Sequence, residues 1–166
     1  MDCPVQLQER EIRNIVIRPV EDADSVYLAQ HLRMADVEEL YAAYGLGPLE
    51  ALEFSIASSK GTFVAEHRGR PALIFGVQDL PEEGQGCIWM LGTDAINEFK
   101  LSFLRHSGEI LHDLCAGFDL VMNYVDARNT ASIRWLKAIG ATFIVRHEQF
   151  GFSNKPFLEF VLCVES

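Results

Sequence analysis

The side chains best suited to nucleophilic, redox or metal chemistry are four cysteines (Cys3, Cys87, Cys115 and Cys163) and five histidines. No two cysteines stand in C-x-x-C spacing, and Cys87, Cys115 and Cys163 lie within apolar sequence. That pattern is expected of reduced, buried thiols in a cytosolic protein rather than of disulfides or a zinc site. The histidines are scattered, so no metal site is expected. His106 lies on an apolar helix stripe and reads as a core histidine. Gly92 stands at the end of a strand. A residue without Cβ there lets a ligand backbone come close, or simply makes a turn.

The elements that must position these groups come from a chain of 166 residues and 18.7 kDa, which is one domain's worth of core. Hydrophobic residues make up 49% and charged residues 23%, enough apolar surface to offset chain entropy and exclude disorder. The longest apolar stretches, such as Cys87–Leu91 and Phe160–Val164, are far short of the roughly 20 residues a membrane span needs. Met1-Asp2-Cys3-Pro4 lacks a basic-then-apolar signal pattern, so a cytoplasmic protein with no membrane partner is expected. Lysine and arginine number 14 against 24 aspartate and glutamate, a net charge of −10. Such a surface repels phosphate backbones, so no nucleic-acid partner is expected.

A single domain is expected over 1–166, with residues 1–13 as a polar lead-in. Ile15–Pro19 reads as a strand stopped by its proline. Glu21, Asp22 and Asp24 open a helix carrying Leu28 and Leu32. Asp36 and Glu39 read as a capping box opening a second helix, with Leu40, Tyr41 and Tyr44 as its apolar face. Pro48 opens a third helix, carrying Leu49, Leu52 and Ile56. Thr62–Glu66, Ala72–Val77 and Cys87–Leu91 read as an antiparallel meander, with Gly69 supplying the positive φ of its first turn. A long helix is expected over 95–116, with the stripe Phe99, Phe103, His106, Ile110 and Leu114. Leu120–Val125 is a strand. A short helix over 130–139 follows, with Asn129 as N-cap, and strands at Thr142–Val145 and Phe157–Leu162 close the chain. The strand, long helix and strand from Ile88 to Val125 need a crossover and hence a parallel pair. The expected fold is α/β (α+β), a mixed central sheet of about seven strands with helices on both faces.

That element order resembles the GNAT fold of the Gcn5-related N-acetyltransferases over roughly residues 15–163. The specific part is 120–143: Val125-Asp126-Ala127-Arg128-Asn129, then Ser132-Ile133, then Leu136-Lys137-Ala138-Ile139-Gly140-Ala141. It is similar to the family's strand ending in asparagine and short helix ending in a lysine-x-leucine-glycine-phenylalanine pattern. A narrower resemblance, carried by residues 32–40, 75–77, 88–93, Asn123, Val125-Asp126, Asn129 and 133–137, is to small phage proteins of the internal virion protein A type.

The GNAT resemblance implies transfer of an acetyl group from acetyl-CoA to an amine, on a small molecule or a protein. It implies two splayed strands, walled here by Trp89–Thr93 and Leu120–Val125, whose free peptide groups pair with the pantetheine arm. Leu91, Gly92, Thr93, Asn129 and Ser132 are the cofactor-binding candidates it places; Asn129 serves equally as a helix cap. The pyrophosphate loop departs from the family's Arg/Gln-x-x-Gly-x-Gly/Ala. Residues 91–100 hold no glycine pair, and Asp94 and Glu98 bring negative charge. Asp94 reads as a helix cap. The family's proton-donating tyrosine falls on Leu136, which leaves Tyr124 as the nearest acid; Cys87, across the proposed groove, is a weaker catalytic candidate, as a nucleophile, and reads by default as a buried structural thiol. The narrower resemblance implies the alternative: a catalytically inactive phage protein acting in virion assembly or on a host protein, in host cytoplasm or virion.

Overall fold

The computed structural model describes residues 5–164. Cys3 and the two ends of the expected domain lie outside that range. Among the described residues eight strands form one mixed sheet in the order β1-β2-β3-β4-β5-β6-β8-β7. They are β1 (Arg10–Ile12), β2 (Ile15–Pro19), β3 (Gly61–His67), β4 (Arg70–Asp79), β5 (Gln85–Gly92), β6 (Leu120–Asp126), β7 (Thr142–Phe150) and β8 (Lys155–Cys163). Five helices accompany them: α1 (Asp22–His31), α2 (Met34–Tyr44), α3 (Pro48–Ser58), α4 (Ile96–Leu114) and α5 (Thr130–Ala138). The expected α/β architecture with helices on both faces is what forms. The extra strand is β1, which lies inside the expected polar lead-in and pairs antiparallel with β2. Its polar residues hid it, yet Leu7 and Ile12 on this segment are buried.

Period-2 alternation sorts each strand between two cores. Phe63, Leu73, Phe75, Val77 and Ile88 face α4 and α5. Val64, Ile74 and Leu91 face α1 and α3, where Leu28 and Leu52 are fully buried. Each such leucine contributes about 1.5–3 kcal/mol relative to exposure. On α4 the buried stripe is Ile96, Phe99, Phe103, Ser107, Ile110 and Leu114, so Ser107 takes the place expected of His106, which is only half-buried. The first turn of the meander has positive φ at Arg68 as well as at Gly69.

Two expectations about α2 fail for tertiary reasons. Asp36 is not its N-cap; that position is Arg33, and Asp36 sits inside the first turn with its carboxylate turned to β5. Tyr41 and Tyr44 are 55% and 59% exposed, so the helix is anchored by Leu40 and Ala42 instead. The turn after β7 holds its far end: Phe152 and Ser153 N–H donate to the carbonyls of Ala43 and Ala42 at 3.1 and 3.0 Å.

Candidate active site

Among the described residues β5 and β6 are the one parallel pair, and they pair only from Gln85–Cys87 to Leu120–Met122. Beyond that rung Ile88–Gly92 and Asn123–Asp126 part, so the expected splay is present. The bond from Thr93 N–H to the Ala72 carbonyl fixes the alternation along β5. It turns the peptide groups of Ile88, Met90 and Gly92 away from β4 and toward the gap.

The neck of the gap is bridged by one side chain. Asn123 Nδ2 donates to the Ile88 carbonyl at 2.7 Å, and its Oδ1 accepts the Tyr124 N–H at 2.8 Å. The mouth is bridged by α2. Asp36 accepts the Gly92 N–H at 2.9 Å, and the Gly92 carbonyl accepts the Arg33 N–H at 2.9 Å. One helical turn on, Glu39 accepts Asn129 Nδ2 at 2.7 Å and the Asp126 N–H of the other arm. Spacing of i and i+3 on one helix face lets the two carboxylates reach the two arms. Between neck and mouth, Met90 N–H and C=O face the gap without a partner among the described residues.

A cavity of about 160 Å³ runs through the gap. Asp36, Glu39, Tyr44 and Tyr124 line its α2 side, and Phe103, Ser107 and Ser132 line its α4–α5 side. Its wall is otherwise mostly apolar. Burial, and then the charge of Asp36, push the Glu39 carboxyl up to about 7 despite the Asn129 and Asp126 donors. Burial raises Asp36 as well, against the opposing pull of the Arg33 guanidinium. Tyr124 is raised by burial and by the nearby Glu159 and Cys87, so its hydroxyl stays protonated near neutral pH. Its ring packs on Phe150 at 4.5 Å and on His147 at 5.6 Å.

Of the residues expected from sequence, Leu91, Ser132 and Tyr124 line the cavity. Gly92 borders the gap with both peptide groups taken. Thr93 is spent on structure: its N–H bonds Ala72 and its Oγ1 accepts the Ala95 N–H at 3.2 Å. Asp94 is not the cap expected of it: the N-cap of α4 is Ala95, and Asp94 is exposed. Asn129 caps α5 through Ser132 N–H at 3.2 Å and also holds Glu39. Cys87 sits on the last paired rung, its thiol pushed by burial to about 11. It is a thiol, not a thiolate, near neutral pH. Glu39, Asp36 and Tyr44 were missed as site residues. The first two were legible only as helix-start residues, because sequence does not say which arm of a distant sheet a carboxylate meets.

Acetyl-CoA, which the sequence resemblance implies, matches the residues present at one end of the gap. The gap fits a thioester and its amide-bearing arm: it offers an apolar passage, the free Met90 peptide and the Ser132 hydroxyl. The start of α4 is already bonded. Ile96, Asn97 and Glu98 N–H donate to the carbonyls of Thr93, Asp94 and Ala95 at 3.2, 3.1 and 3.0 Å.

The profile of the family described as "Bacteriophage T7, probable scaffold protein Gp13" matches residues 80–150, from β5 through β7. No curated protein sequence matches the chain. Ard1 from Thermoplasma volcanium superposes with a TM-score of 0.71 at 13% identity, over 92% of this chain and 99% of that one. A GNAT-family acetyltransferase from Streptococcus pneumoniae gives 0.63 at 15% identity, over 91% and 99%. Spermidine N-acetyltransferase from Vibrio cholerae, solved with CoA and spermine, gives 0.62 at 10% identity, over 91% and 96%. At such identities the likeness establishes architecture alone, and that architecture is the GNAT acetyltransferase fold.

Proposed function

We propose that the chain is an N-acyltransferase that moves an acetyl group from a thioester donor, acetyl-CoA in the simplest case, to an amine. The observation that carries this is Glu39, a carboxylate with a pKa of about 7 at the mouth of an apolar gap between parting strands. A base tuned near the working pH is what amine deprotonation requires. Bound in the gap, the donor supplies an activated carbonyl and a thiol leaving group. Met90 and Ser132 hold the arm from the α4–α5 side, and the amine enters from the α2 side. Glu39 takes the amine proton as the C–N bond forms. Tyr124 offers its hydroxyl proton to the departing sulfur as the C–S bond breaks. The amine substrate is a small molecule or a protein.

A second reading rests on a specific observation. Arg33, Asp36 and Glu39 occupy peptide groups on both arms of the gap, so α2 stands where an amide-rich arm would bind. In that reading the fold serves a phage assembly or host-binding protein with no catalysis, in keeping with the scaffold-protein profile. Thiol release from acetyl-CoA across a panel of primary amines decides between them. Release that Glu39→Gln lowers by 100-fold or more supports the transferase; none with any amine supports the second reading.

A further inference from the structure

The two ends of the proposed donor meet different chemistry on this chain. The thioester end meets a half-open, mostly apolar passage of about 160 Å³. The other end of a CoA-type donor carries a pyrophosphate and a further phosphate. α4 is the helix that follows β5 in the chain, and helix starts bind phosphates through free N–H groups.

Here those groups are spent. The first-turn amides of Ile96, Asn97 and Glu98 bond back to carbonyls, and Ala95 N–H bonds Thr93 Oγ1. Two carboxylates share the turn. Asp94 is exposed, and Glu98 is held in place by His67 Nε2 at 3.1 Å and Arg68 at 3.4 Å. Glu98 therefore places a carboxylate at the helix start and takes Arg68 as an ion-pair partner. Gly92 cannot open its backbone to a phosphate either, because Arg33 and Asp36 hold both its peptide groups. The next glycine is Gly108, three turns into α4.

We infer that the donor is recognised through its thioester and pantetheine arm alone, so that the substrate class is acyl-pantetheine thioesters with no required nucleotide. This rests on the transferase reading above. The nucleotide end then lies outside the protein's contacts and adds no binding energy.

Trp89 and Trp135, the chain's two tryptophans, both line the cavity. Their fluorescence reports occupancy without any turnover. Titrations with CoA, pantetheine and adenosine 3′,5′-bisphosphate are compared by fluorescence and by calorimetry. The expected result is a pantetheine Kd within about threefold of that for CoA, with no signal from the bisphosphate at millimolar concentration. Asp94→Asn is expected to leave the Kd of both CoA and pantetheine within about threefold of the parent chain, and a tightening of CoA alone by more than that overturns the inference. CoA binding more than 30-fold tighter than pantetheine overturns the inference and leaves the transferase reading standing. Absence of any signal from CoA and pantetheine alike overturns both.

Discussion

Asn129 Nδ2 and Glu39 Oε2 lie 2.7 Å apart across ninety residues of chain. The same asparagine caps α5 through Ser132 N–H. One amide side chain therefore ties the helix that lines one side of the gap to the carboxylate on the other. The tie orients Glu39, and the burial that accompanies it raises the carboxyl toward neutrality.

Glu39→Gln is expected to lower kcat/KM for amine acetylation by about 100-fold or more, with binding of the donor arm little changed. The acid limb of the pH profile, centred near 7 in the parent chain, should vanish in the variant. A variant profile that keeps this limb at full height would assign the base elsewhere.

The same substitution carries a stability signature. The folded-state pKa of Glu39, about 7, stands above its ordinary value of 4.5. Between those values the folded chain holds a proton that the unfolded chain has released. This group's contribution to stability therefore falls as pH rises from about 4.5 to about 7, and is flat above. Thermal unfolding should show E39Q gaining on the parent chain as pH rises from 5 to 8. A Tm difference that does not change with pH contradicts the raised pKa.

Cys87→Ser is expected to keep transfer within about twofold of the parent rate, since burial holds the thiol near 11. Alkylation mapped by mass spectrometry at pH 7.5 should reach the exposed Cys163 well before Cys87. Loss of transfer in C87S would return the cysteine to the role of nucleophile.

Gly151→Ala tests how α2 is held. Gly151 has φ of +67°, and a Cβ there would stand 2.6 and 2.8 Å from the carbonyl oxygens of Ala43 and Ala42. Strain plus collision should cost about 2 kcal/mol or more, read from the denaturant midpoint. Glu39 rides on the same helix, so the acid limb should also move toward the ordinary carboxylate range.

Asp24→Asn probes the framework away from the gap. Asp24 is buried and paired with Arg18 at 2.7 and 2.9 Å. Burial alone would raise its pKa. The Arg18 hydrogen bond, the Glu21 N–H and the Arg18 charge together hold it below the ordinary value. Its contribution is present above pH 4 and is lost as pH falls through the lowered pKa. The variant should lose about 3 kcal/mol near neutral pH, leaving Arg18 short of a buried partner. The gap to the parent chain should close as pH falls through the lowered pKa. Equal losses at both ends of that range would remove the charge pair as the cause.

What the sequence determined by itself was the order of elements and the crossover. Local rules set both: alternation in β3–β5, helical spacing through α4, Asn129 before α5, and a long helix between strands that forces one parallel step. It also showed no glycine pair before α4. It did not reveal β1, because a three-residue edge strand with polar faces leaves almost no pattern. Only the tertiary structure decided what fills the splay. Asp36 and Glu39 obey helix-start rules equally well wherever α2 lies. Their chemistry came from being brought by α2 against Gly92, Asp126 and Asn129, where burial and a second nearby carboxylate act on Glu39. Burial and long-range pairing are properties of the packed chain, and local spacing carries no record of them.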